Sequence, residues 1–261
     1  MKGDFEARVI SNRKLAPDVS DIGLQMPDES RGIAPAPGQF AHISCGQFLR
    51  RPISIAGFDP DEMRLRIIVR SVGRGTEAIS RAAPGEAVRA LMPLGNPYPF
   101  GPGEFRRVWL AAGGIGAAPL LFAAKYLARA KKGGSEKYEI TSFVGFRDSD
   151  SAFGLEEFEE YGKTFPSIGG LVTEKISQSL ETDRPDAVFA CGPEPMIRAL
   201  AKICAAHGVK AYASLEARMG CGIGACLVCN CLIKQGGGEY GKYKRVCRDG
   251  PVFDLSEAEF R

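Results

Sequence analysis

Hydrophobic and polar residues alternate in short segments through the first hundred residues of the chain. Six segments show this pattern, and glycine, proline or aspartate separates them: EARVIS, DIGLQM, FAHIS, PISIAGF, RLRIIVRSV and EAVRALM. Alternation with a period of two places one set of side chains on a buried face and the other in solvent. The pattern therefore predicts a small N-terminal antiparallel β-barrel or sandwich.

The pattern changes near residue 104, where short, continuously apolar segments begin to alternate with longer segments that mix apolar and charged residues. RRVWLAA, YEITSFVGF and DAVFACG are typical of buried strands, whereas APLLFAAKYLARAKKG and EPMIRALAKICAAHG are typical of helices. The first helical segment ends in lysine and glycine, as helices commonly do. Strands that alternate with helices predict a parallel sheet with crossover helices, as in Rossmann-like domains.

After Gly208 this pattern gives way to a cysteine-rich tail. We therefore expect an α+β multidomain protein with a β-barrel at residues 1–102, an α/β domain at 103–209 and a small cysteine module at 210–261. The chain has 261 residues, 44% of them hydrophobic, which is enough for two ordinary domains and a small module.

Charge and the N-terminal sequence narrow the possible partners and the compartment. A formal net charge of +3, with acidic and basic residues interleaved, gives no reason to expect a nucleic-acid partner. The longest near-apolar run, residues 108–124, is short for a membrane span and contains three glycines and a proline, so no membrane insertion is expected. The N-terminus lacks the apolar core of a secretory signal. We therefore expect a cytoplasmic protein whose eight cysteines serve metal binding or redox chemistry rather than disulfides.

The segment MGCGIGACLVCNC carries the most specific cysteine pattern. Cys221, Cys226 and Cys229 have the spacing C-x4-C-x2-C, and Cys247 follows after 17 residues that include KQGGGEYGK. This spacing is typical of plant-type [2Fe–2S] centres, in which thiolates are the soft ligands that iron prefers. The glycines among these cysteines would let the loop curl, with backbone N–H groups directed at the sulfurs.

Zinc and a redox dithiol are alternative uses of these thiols. A zinc ribbon requires two C-x2-C knuckles, and the sequence offers only the Cys226–Cys229 pair. A thioredoxin-like dithiol would use the same pair and leave Cys221 and Cys247 without a role. Cys231 is the surplus cysteine, and we interpret it as a non-ligand, although its spacing would allow an exchange.

Two strand-to-helix turns are candidates for nucleotide binding. AAGGIGAAP has a proline where the last glycine of a G-x-G-x-x-G turn would stand, and FACGPEP forms a second turn between a strand and a helix. Such turns allow close backbone approach and offer helix N-terminal amides to a pyrophosphate. Both would lie at the C-terminal edge of one sheet, where ligands bind. The candidates are Gly113, Gly114, Gly116, Cys191, Gly192 and Pro193.

Two barrel segments, RPIS and RSVGRGTEAIS, carry further candidates. The first places an arginine and a serine on one face of a strand, and the second places a Gly-Thr pair before a short helix, where an anion could bind. Taken singly, each segment is more often a turn or a surface pair than a cofactor site. The residues concerned are Arg51, Ser54, Arg70, Gly73, Gly75 and Thr76.

Taken together and in this order, the motifs resemble the ferredoxin–NADP reductase superfamily. Its members combine a flavin-binding barrel, which has an R-x-[YFP]-[ST]-like strand, with an NAD(P) domain that bears GGxGxxP and CGP turns. EARMGCGIGACLVCNC and VCRDGPVF, placed after that domain, resemble the electron-transfer subunits of NAD-dependent dihydroorotate dehydrogenases. The resemblance covers essentially the whole chain. It implies FAD and a [2Fe–2S] cluster as cofactors, with NAD as a diffusible substrate.

The resemblance also implies a role for each motif. RPIS would hold the flavin and its phosphate, residues 68–70 would lie along FAD, and Gly75 and Thr76 would take its pyrophosphate. The two turns would place nicotinamide against the flavin, and no residue of this chain would act as a catalytic acid or base. The residues implied for FAD and NAD are Arg51, Pro52, Ile53, Ser54, Ile68, Val69, Arg70, Gly75, Thr76, Gly113, Gly114, Gly116, Cys191, Gly192 and Pro193. The residues implied for the cluster are Cys221, Cys226, Cys229 and Cys247.

The implied function is that of an oxidoreductase subunit in pyrimidine biosynthesis. Electrons would come from the FMN of a dihydroorotate dehydrogenase catalytic subunit and pass through the cluster and FAD to NAD⁺. No dihydroorotate site is recognisable in the sequence, so we expect such a partner, in a heterotetramer with two copies of each subunit. VGFRDSD offers both Arg147 and Asp148, so a preference for NAD over NADP follows from the resemblance alone.

Two other functions remain open from the residues. One is a related reductase subunit that serves a sulfide, ferredoxin or hydrogenase partner. The other, from a different class, is a zinc-binding interaction protein with a degenerate nucleotide-binding fold.

Overall fold

The computed structural model describes residues 2–101, 104–129, 131–132, 136–233 and 242–258. Within these ranges the chain forms a closed barrel, a sheet flanked by helices, and a cysteine-bearing segment that contacts both. The expected α+β multidomain architecture is confirmed. The expected boundary at residues 102–103 and most of KQGGGEYGK lie outside the described residues.

The barrel consists of the six strands that the alternating segments predict. Their bounds, with one short helix, are β1 Gly3–Ala16, β2 Val19–Gln25, β3 Phe40–Ile43, β4 Arg51–Asp59, β5 Arg64–Arg70, α1 Arg74–Ser80 and β6 Ala87–Leu94. The strands close in the order β1-β2-β5-β4-β3-β6, and every neighbouring pair is antiparallel. Ile22, Ile55 and Ile67 are among the alternate side chains that fill the interior.

The barrel wall opens between β4 and β5. The ladder between these strands runs from the pair Ile55–Ile67 to the pair Asp59–Arg64. The first residues of β4 pair instead with β3, where Pro52 lies opposite His42. Residues 52–54 and 68–70 are therefore not paired with each other, and they line a common opening.

The second domain is a doubly wound sheet with helices on both faces. Its elements are β7 Arg107–Gly113, α2 Ala117–Arg129, β8 Lys131–Lys132, β9 Glu136–Lys137, β10 Glu139–Phe146, α3 Leu155–Tyr161, β11 Lys163–Ile168, α4 Val172–Leu180, β12 Ala187–Cys191, α5 Glu194–His207 and β13 Lys210–Ser214. Strands β11, β10, β7, β12 and β13 are adjacent in that order and parallel. Helices α2 and α3 contribute to the core on one face, and α4 and α5 to the core on the other. The central strands are buried on both faces, which explains their continuous apolar sequences.

The cysteine-bearing segment leaves this sheet after β13 and returns to it. It contains β14 Asn230–Ile233, β15 Lys242–Arg245, α6 Val246–Asp249 and β16 Val252–Asp254. Strand β16 pairs antiparallel with β13, and β14 pairs with β15 as a separate two-stranded sheet. The segment also contacts the barrel, because the Asn96 N–H donates to the Gly250 carbonyl at 2.6 Å.

Barrel and sheet are joined directly as well. Phe122 of α2 packs into the barrel core, and Arg66 of β5 forms ion pairs with Asp21 of β2 and Glu157 of α3. Among the helices that the structure describes, none combines the length and the apolar character needed to cross a lipid bilayer.

Candidate functional site

A cavity of about 660 Å³ lies between the barrel opening, the glycine turn after β7 and the start of the cysteine-bearing segment. We call it the barrel cavity. Its size falls within the range of small-molecule pockets. It brings together candidates from four separate segments of the sequence, namely Pro52, Ile53, Ser54, Ile68, Val69, Arg70, Thr76, Gly113, Gly114, Gly116, Cys191 and Pro193.

A second cavity, of about 590 Å³, lies over the C-terminal ends of β7 and β10. We call it the sheet cavity. Phe146, Arg147 and residues 169–173 line one side of it. Gly113, Gly114, Arg70 and Pro193 line both cavities, so the two spaces adjoin at the glycine turn. This is the sheet edge at which parallel α/β sheets bind their ligands.

The glycine turn and the CGP turn pack against each other without room for side chains. A Cβ at Gly116 would overlap the carbonyl of Cys191, and a Cβ at Gly113 would lie 2.6 Å from the sulfur of Met196. A Cβ at Gly192 would lie 2.7 Å from the terminal methyl of Met196. The glycines therefore allow the two turns to meet, which brings the N-termini of α2 and α5 to one place.

Arg51 and Gly75 lie outside the lining of the barrel cavity but next to each other. The guanidinium of Arg51 occupies the space that a side chain at Gly75 would need. The same guanidinium donates to the Leu49 carbonyl and to the Gln47 side chain. A cation held against a side-chain-free backbone at the start of α1 is suited to an anionic group such as a phosphate.

Glu216 is a residue of the barrel cavity that the sequence motifs missed. Burial raises the pKa of Glu216, and the positive charge of Arg70 opposes this increase. Burial, followed by the charge of Glu216, raises the pKa of the Cys191 thiol to about 12, so Cys191 remains protonated. Arg70 also donates to Asp18 at 2.7 Å. The available signal for Glu216 was a lone carboxylate in the stretch SLEARMG, directly before the first cysteine of the motif.

The four candidate cluster cysteines lie in two close pairs. The Cys221 sulfur accepts the N–H groups of Ala225 at 3.2 Å and Cys226 at 3.4 Å, and the Cys226 sulfur accepts the N–H of Cys221 at 3.4 Å. The Cys229 sulfur accepts the N–H of Cys247 at 3.4 Å. One pair belongs to the glycine-containing loop, and the other joins the start of β14 to α6.

This donor set fits a [2Fe–2S] centre, because each iron of such a centre takes two protein ligands and the structure offers thiols in two pairs. No group of three or more Cys, His, Asp or Glu side chains surrounds a single ion position within the described part of the chain. Burial raises the pKa of the Cys221 thiol, but hydrogen bonds from the N–H groups of Cys226, Ile223 and Ala225 and from the Cys226 side chain outweigh burial and bring the pKa to about 6. N–H groups directed at a sulfur stabilise its thiolate, the form that binds iron.

Two glycines give the cysteine loop its shape. Gly222 has φ +70° and Gly224 has φ +86°, in the left-handed region that favours glycine. Arg245 spans the module, since it donates to the Gly224 carbonyl at 3.2 Å and to the Asp249 carboxylate at 3.1 Å. The basic residues near Cys247 thus include one that holds the loop together.

Cys231 takes no part in the hydrogen bonds that join the two pairs. It faces Lys244 across the β14–β15 ladder and lines a separate cavity of about 470 Å³ next to Gly192 and Glu194. Burial, followed by the charge of Cys229, raises the pKa of the Cys231 thiol to about 11. That Cys231 is not a ligand stays a prediction.

Comparisons with known proteins agree with this geometry. Residues 216–259 match the model of the iron-sulfur cluster binding domain of dihydroorotate dehydrogenase B. The solved structure of an NADH-dependent reduced ferredoxin-NADP oxidoreductase has a TM-score of 0.83 and 28% sequence identity to this chain, and the match covers 97% of this chain and 89% of that one.

Two curated relatives share their name, "Dihydroorotate dehydrogenase B (NAD(+)), electron transfer subunit". The protein from Caldanaerobacter subterraneus subsp. tengcongensis is 38% identical, and the match covers 100% of both chains. The protein from Geobacillus kaustophilus is 40% identical over 98% of this chain and 99% of its own. Whole-length identity at this level, together with the paired cysteines and the adjoining cavities, shows that the chain belongs to the family of dihydroorotate dehydrogenase B electron transfer subunits.

Proposed function

We propose that this chain carries electrons from the FMN of a dihydroorotate dehydrogenase catalytic subunit to NAD⁺, with FAD and a [2Fe–2S] cluster as its own redox groups. One observation carries the proposal. The barrel cavity adjoins the sheet cavity at the glycine turn, and its wall includes residues 214–219, which directly precede the cysteine loop in the chain. Nicotinamide exchanges two electrons as a hydride and an iron–sulfur centre exchanges one, whereas a bound flavin can exchange either number.

In this proposal the barrel cavity holds FAD. Residues 52–54 and 68–70 line it where the β4–β5 ladder ends, so their backbone groups are placed to contact the flavin ring. Arg51 and the backbone at Gly75 bind its phosphates, since they combine positive charge with close access. Glu216 is a carboxylate in the same wall, and burial favours its protonated form.

The sheet cavity holds the nicotinamide nucleotide in the same proposal. The glycine turn and the CGP turn direct two helix N-termini at it, which suits a pyrophosphate. The guanidinium of Arg147 lines this cavity and donates to its neighbour Asp148 at 2.9 Å. The Arg147 side chain is 80% exposed, and surface pairs of this kind contribute little, so NAD rather than NADP is proposed from the family to which the chain belongs.

Cys221, Cys226, Cys229 and Cys247 are the proposed cluster ligands, and the side of the module around Cys226 is the proposed docking surface for the catalytic partner. Cys226 is exposed, and Ile223, Leu227 and Val228 are 44%, 57% and 60% exposed. Neighbouring exposed apolar side chains are typical of protein interfaces. Two copies of each subunit would form the proposed heterotetramer.

We also propose that the functional division follows the three units at 1–102, 103–209 and 210–261, with β13 at the start of the last unit completing the parallel sheet of the second and β16 pairing with it. The cytoplasm is the proposed compartment. Its reducing conditions keep thiols available for iron, and all eight cysteines are free.

The test is co-expression with the FMN-containing catalytic subunit, followed by anaerobic purification of the complex. We expect flavin and iron–sulfur absorption bands, an EPR signal after dithionite treatment, and dihydroorotate-dependent reduction of NAD⁺. A C226S variant should lose the EPR signal, whereas C231S is the matched control that should keep it. A complex that forms but never produces orotate would favour a different reductase partner. Colourless protein with one bound zinc would contradict the proposal.

A further inference from the structure

His42 is a buried polar side chain to which the proposed electron path gives no role. It lies on β3 and is 2% exposed. Its Nε2 atom is buried and has no hydrogen-bond partner among the residues that the structure describes. A buried nitrogen without a partner is destabilising, so such an atom in a native fold calls for an explanation.

The free edge of the imidazole faces the cysteine loop. A Cβ at Gly222 would lie 2.8 Å from both Cε1 and Nε2 of His42. Gly222 directly follows Cys221 and has the positive φ that shapes the loop. The histidine ring therefore occupies the space next to the loop on the barrel side, with Nε2 at the contact.

His42 also contacts a residue that lines the flavin region. Phe40 lies two residues earlier on β3 and lines the barrel cavity. The Phe40 and His42 rings meet edge to face, with their centroids 6.0 Å apart. His42 thus stands between the barrel cavity and the loop that carries the cluster cysteines.

The protonation state of His42 suits a neutral hydrogen-bond donor. Burial, with a smaller effect of the positive charge of Arg50, lowers the pKa of His42 to about 4. The ring is therefore neutral at physiological pH and carries one N–H. Arg50 is itself engaged by Asp4, to which it donates at 2.8 and 2.9 Å.

We propose that Nε2 of His42 donates a hydrogen bond to a sulfur of the [2Fe–2S] centre and thereby raises its reduction potential. This inference rests on the proposed function, because it requires the cluster. Hydrogen bonds to cluster sulfurs stabilise the more negative, reduced form, so loss of a donor lowers the potential. The barrel would in this way help to set the potential of a centre whose ligands all lie in another part of the chain.

The experiment is an EPR-monitored redox titration of the complex with the catalytic subunit. H42L keeps much of the ring's volume and removes the donor, whereas H42Q places an amide nitrogen near the position of Nε2. We expect the one-electron reduction of H42L to be about tenfold less favourable, a fall of about 59 mV in midpoint potential. H42Q should return to within about threefold of wild type. H207L is the matched control, since His207 is the other histidine and its Nδ1 contacts the Ile203 carbonyl at 2.9 Å. Its midpoint should not change.

Several outcomes would overturn the inference. If the midpoint potential of H42L equals that of wild type, the proposed hydrogen bond is refuted. If H42L and H42Q lower the midpoint potential equally, the effect comes from packing. If H42L binds no cluster, H42N replaces it, because its shorter amide does not reach the Nε2 position. A lowered H42N midpoint with a normal H42Q midpoint then supports the proposal, and equal midpoints overturn it. A wild-type complex without an EPR signal overturns the proposed function itself, which separates the two failures.

Discussion

The ion pairs of Arg66 offer a test of how the barrel is held against the α/β domain. Arg66 donates to the two carboxylate oxygens of Asp21 at 2.9 and 3.1 Å and to those of Glu157 at 2.7 and 2.9 Å. The Arg66, Asp21 and Glu157 side chains are 26%, 13% and 24% exposed. Burial opposes the charge of Arg66, but the two carboxylates outweigh burial and raise its pKa.

Replacing Arg66 with methionine keeps the apolar stem and removes every one of these hydrogen bonds. Glu157 then loses its ion pair with Arg66, and Asp21 keeps only its pair with the exposed Arg13, at 3.3 Å. Breaking a buried ion pair costs about 3–5 kcal/mol, and we reduce this to about 2–3 kcal/mol because solvent screens side chains that are up to a quarter exposed. At about 2–4 °C per kcal/mol for a chain of this size, R66M should lower the Tm by about 4–12 °C.

The loss should also affect electron transfer. Arg66 lies on β5, whose residues 68–70 line the barrel cavity, while Glu157 belongs to the domain that forms the sheet cavity. A looser junction should slow flavin reduction by NADH, measured by anaerobic stopped-flow absorbance, and should leave the cluster EPR spectrum unchanged. Misplacement of reacting groups by about 1 Å can cost a hundredfold in rate.

R64M is the matched control for R66M. Arg64 lies on the same strand and pairs with Glu62, but both side chains are more than half exposed, at 55% and 59%. Such surface pairs contribute about 0–1 kcal/mol. The double variant R66M/E157Q should recover part of the lost stability, because it removes one uncompensated carboxylate. Equal Tm values for R66M and R64M would refute the reasoning.

Three further predictions concern the turns, the surplus cysteine and His42. G116A should raise the KM for NADH at least tenfold, because its Cβ would overlap backbone atoms of the CGP turn. The Cβ of G114A would have no neighbouring atom within 4 Å, so this control should lose only about 1–2 kcal/mol of stability, because Gly114 has a positive φ. C231A should retain two irons per chain and the wild-type EPR spectrum, and iron analysis showing loss would make Cys231 a ligand. His42 has a pKa of about 4 when folded and an ordinary value of 6.5, so the unfolded apoprotein binds more protons between these values. Urea denaturation should therefore show stability falling by up to about 3 kcal/mol as pH drops from 6.5 to 4, and H42Q should lack this component.

The elements that the sequence predicted are those whose burial follows a simple period. The barrel strands alternate because one face meets the core, and β7, β10 and β12 are largely apolar because both of their faces are covered and nearly every residue is buried. The sequence reading missed β11, an edge strand whose one buried residue is Ser167, and β13, a strand of five residues that are mostly small or polar. It also missed α3, a seven-residue helix with four glutamates whose one buried residue is Phe158.

The site motifs could be read because their chemistry is local. The cysteine spacing and the two glycine-containing turns carry their function in a few consecutive residues, and parallel strands bring the turns to one sheet edge. His42 shows the opposite case. Alternation along FAHIS puts Ala41 and Ile43 in the barrel core and His42 on the outer face, yet all of β3 is buried, because the cysteine loop and neighbouring residues cover that face. Only the packing of a distant segment shows this.

The anchoring of the cysteine module explains how its distance from the barrel cavity can be fixed despite a long loop. The segment leaves the sheet at Ser214 and returns at Val252, and these two residues pair with each other. The Leu215 N–H also donates to the Pro251 carbonyl at 2.9 Å, and both residues line the barrel cavity. The module is therefore closed at its base by the wall of the cavity itself. The entropic cost of closing a loop grows only slowly with its length, so the 17 residues between Cys229 and Cys247 add little strain to that base. Electron transfer depends on distance, and here the sheet pairing, rather than the length of the loop, determines where the cysteines lie.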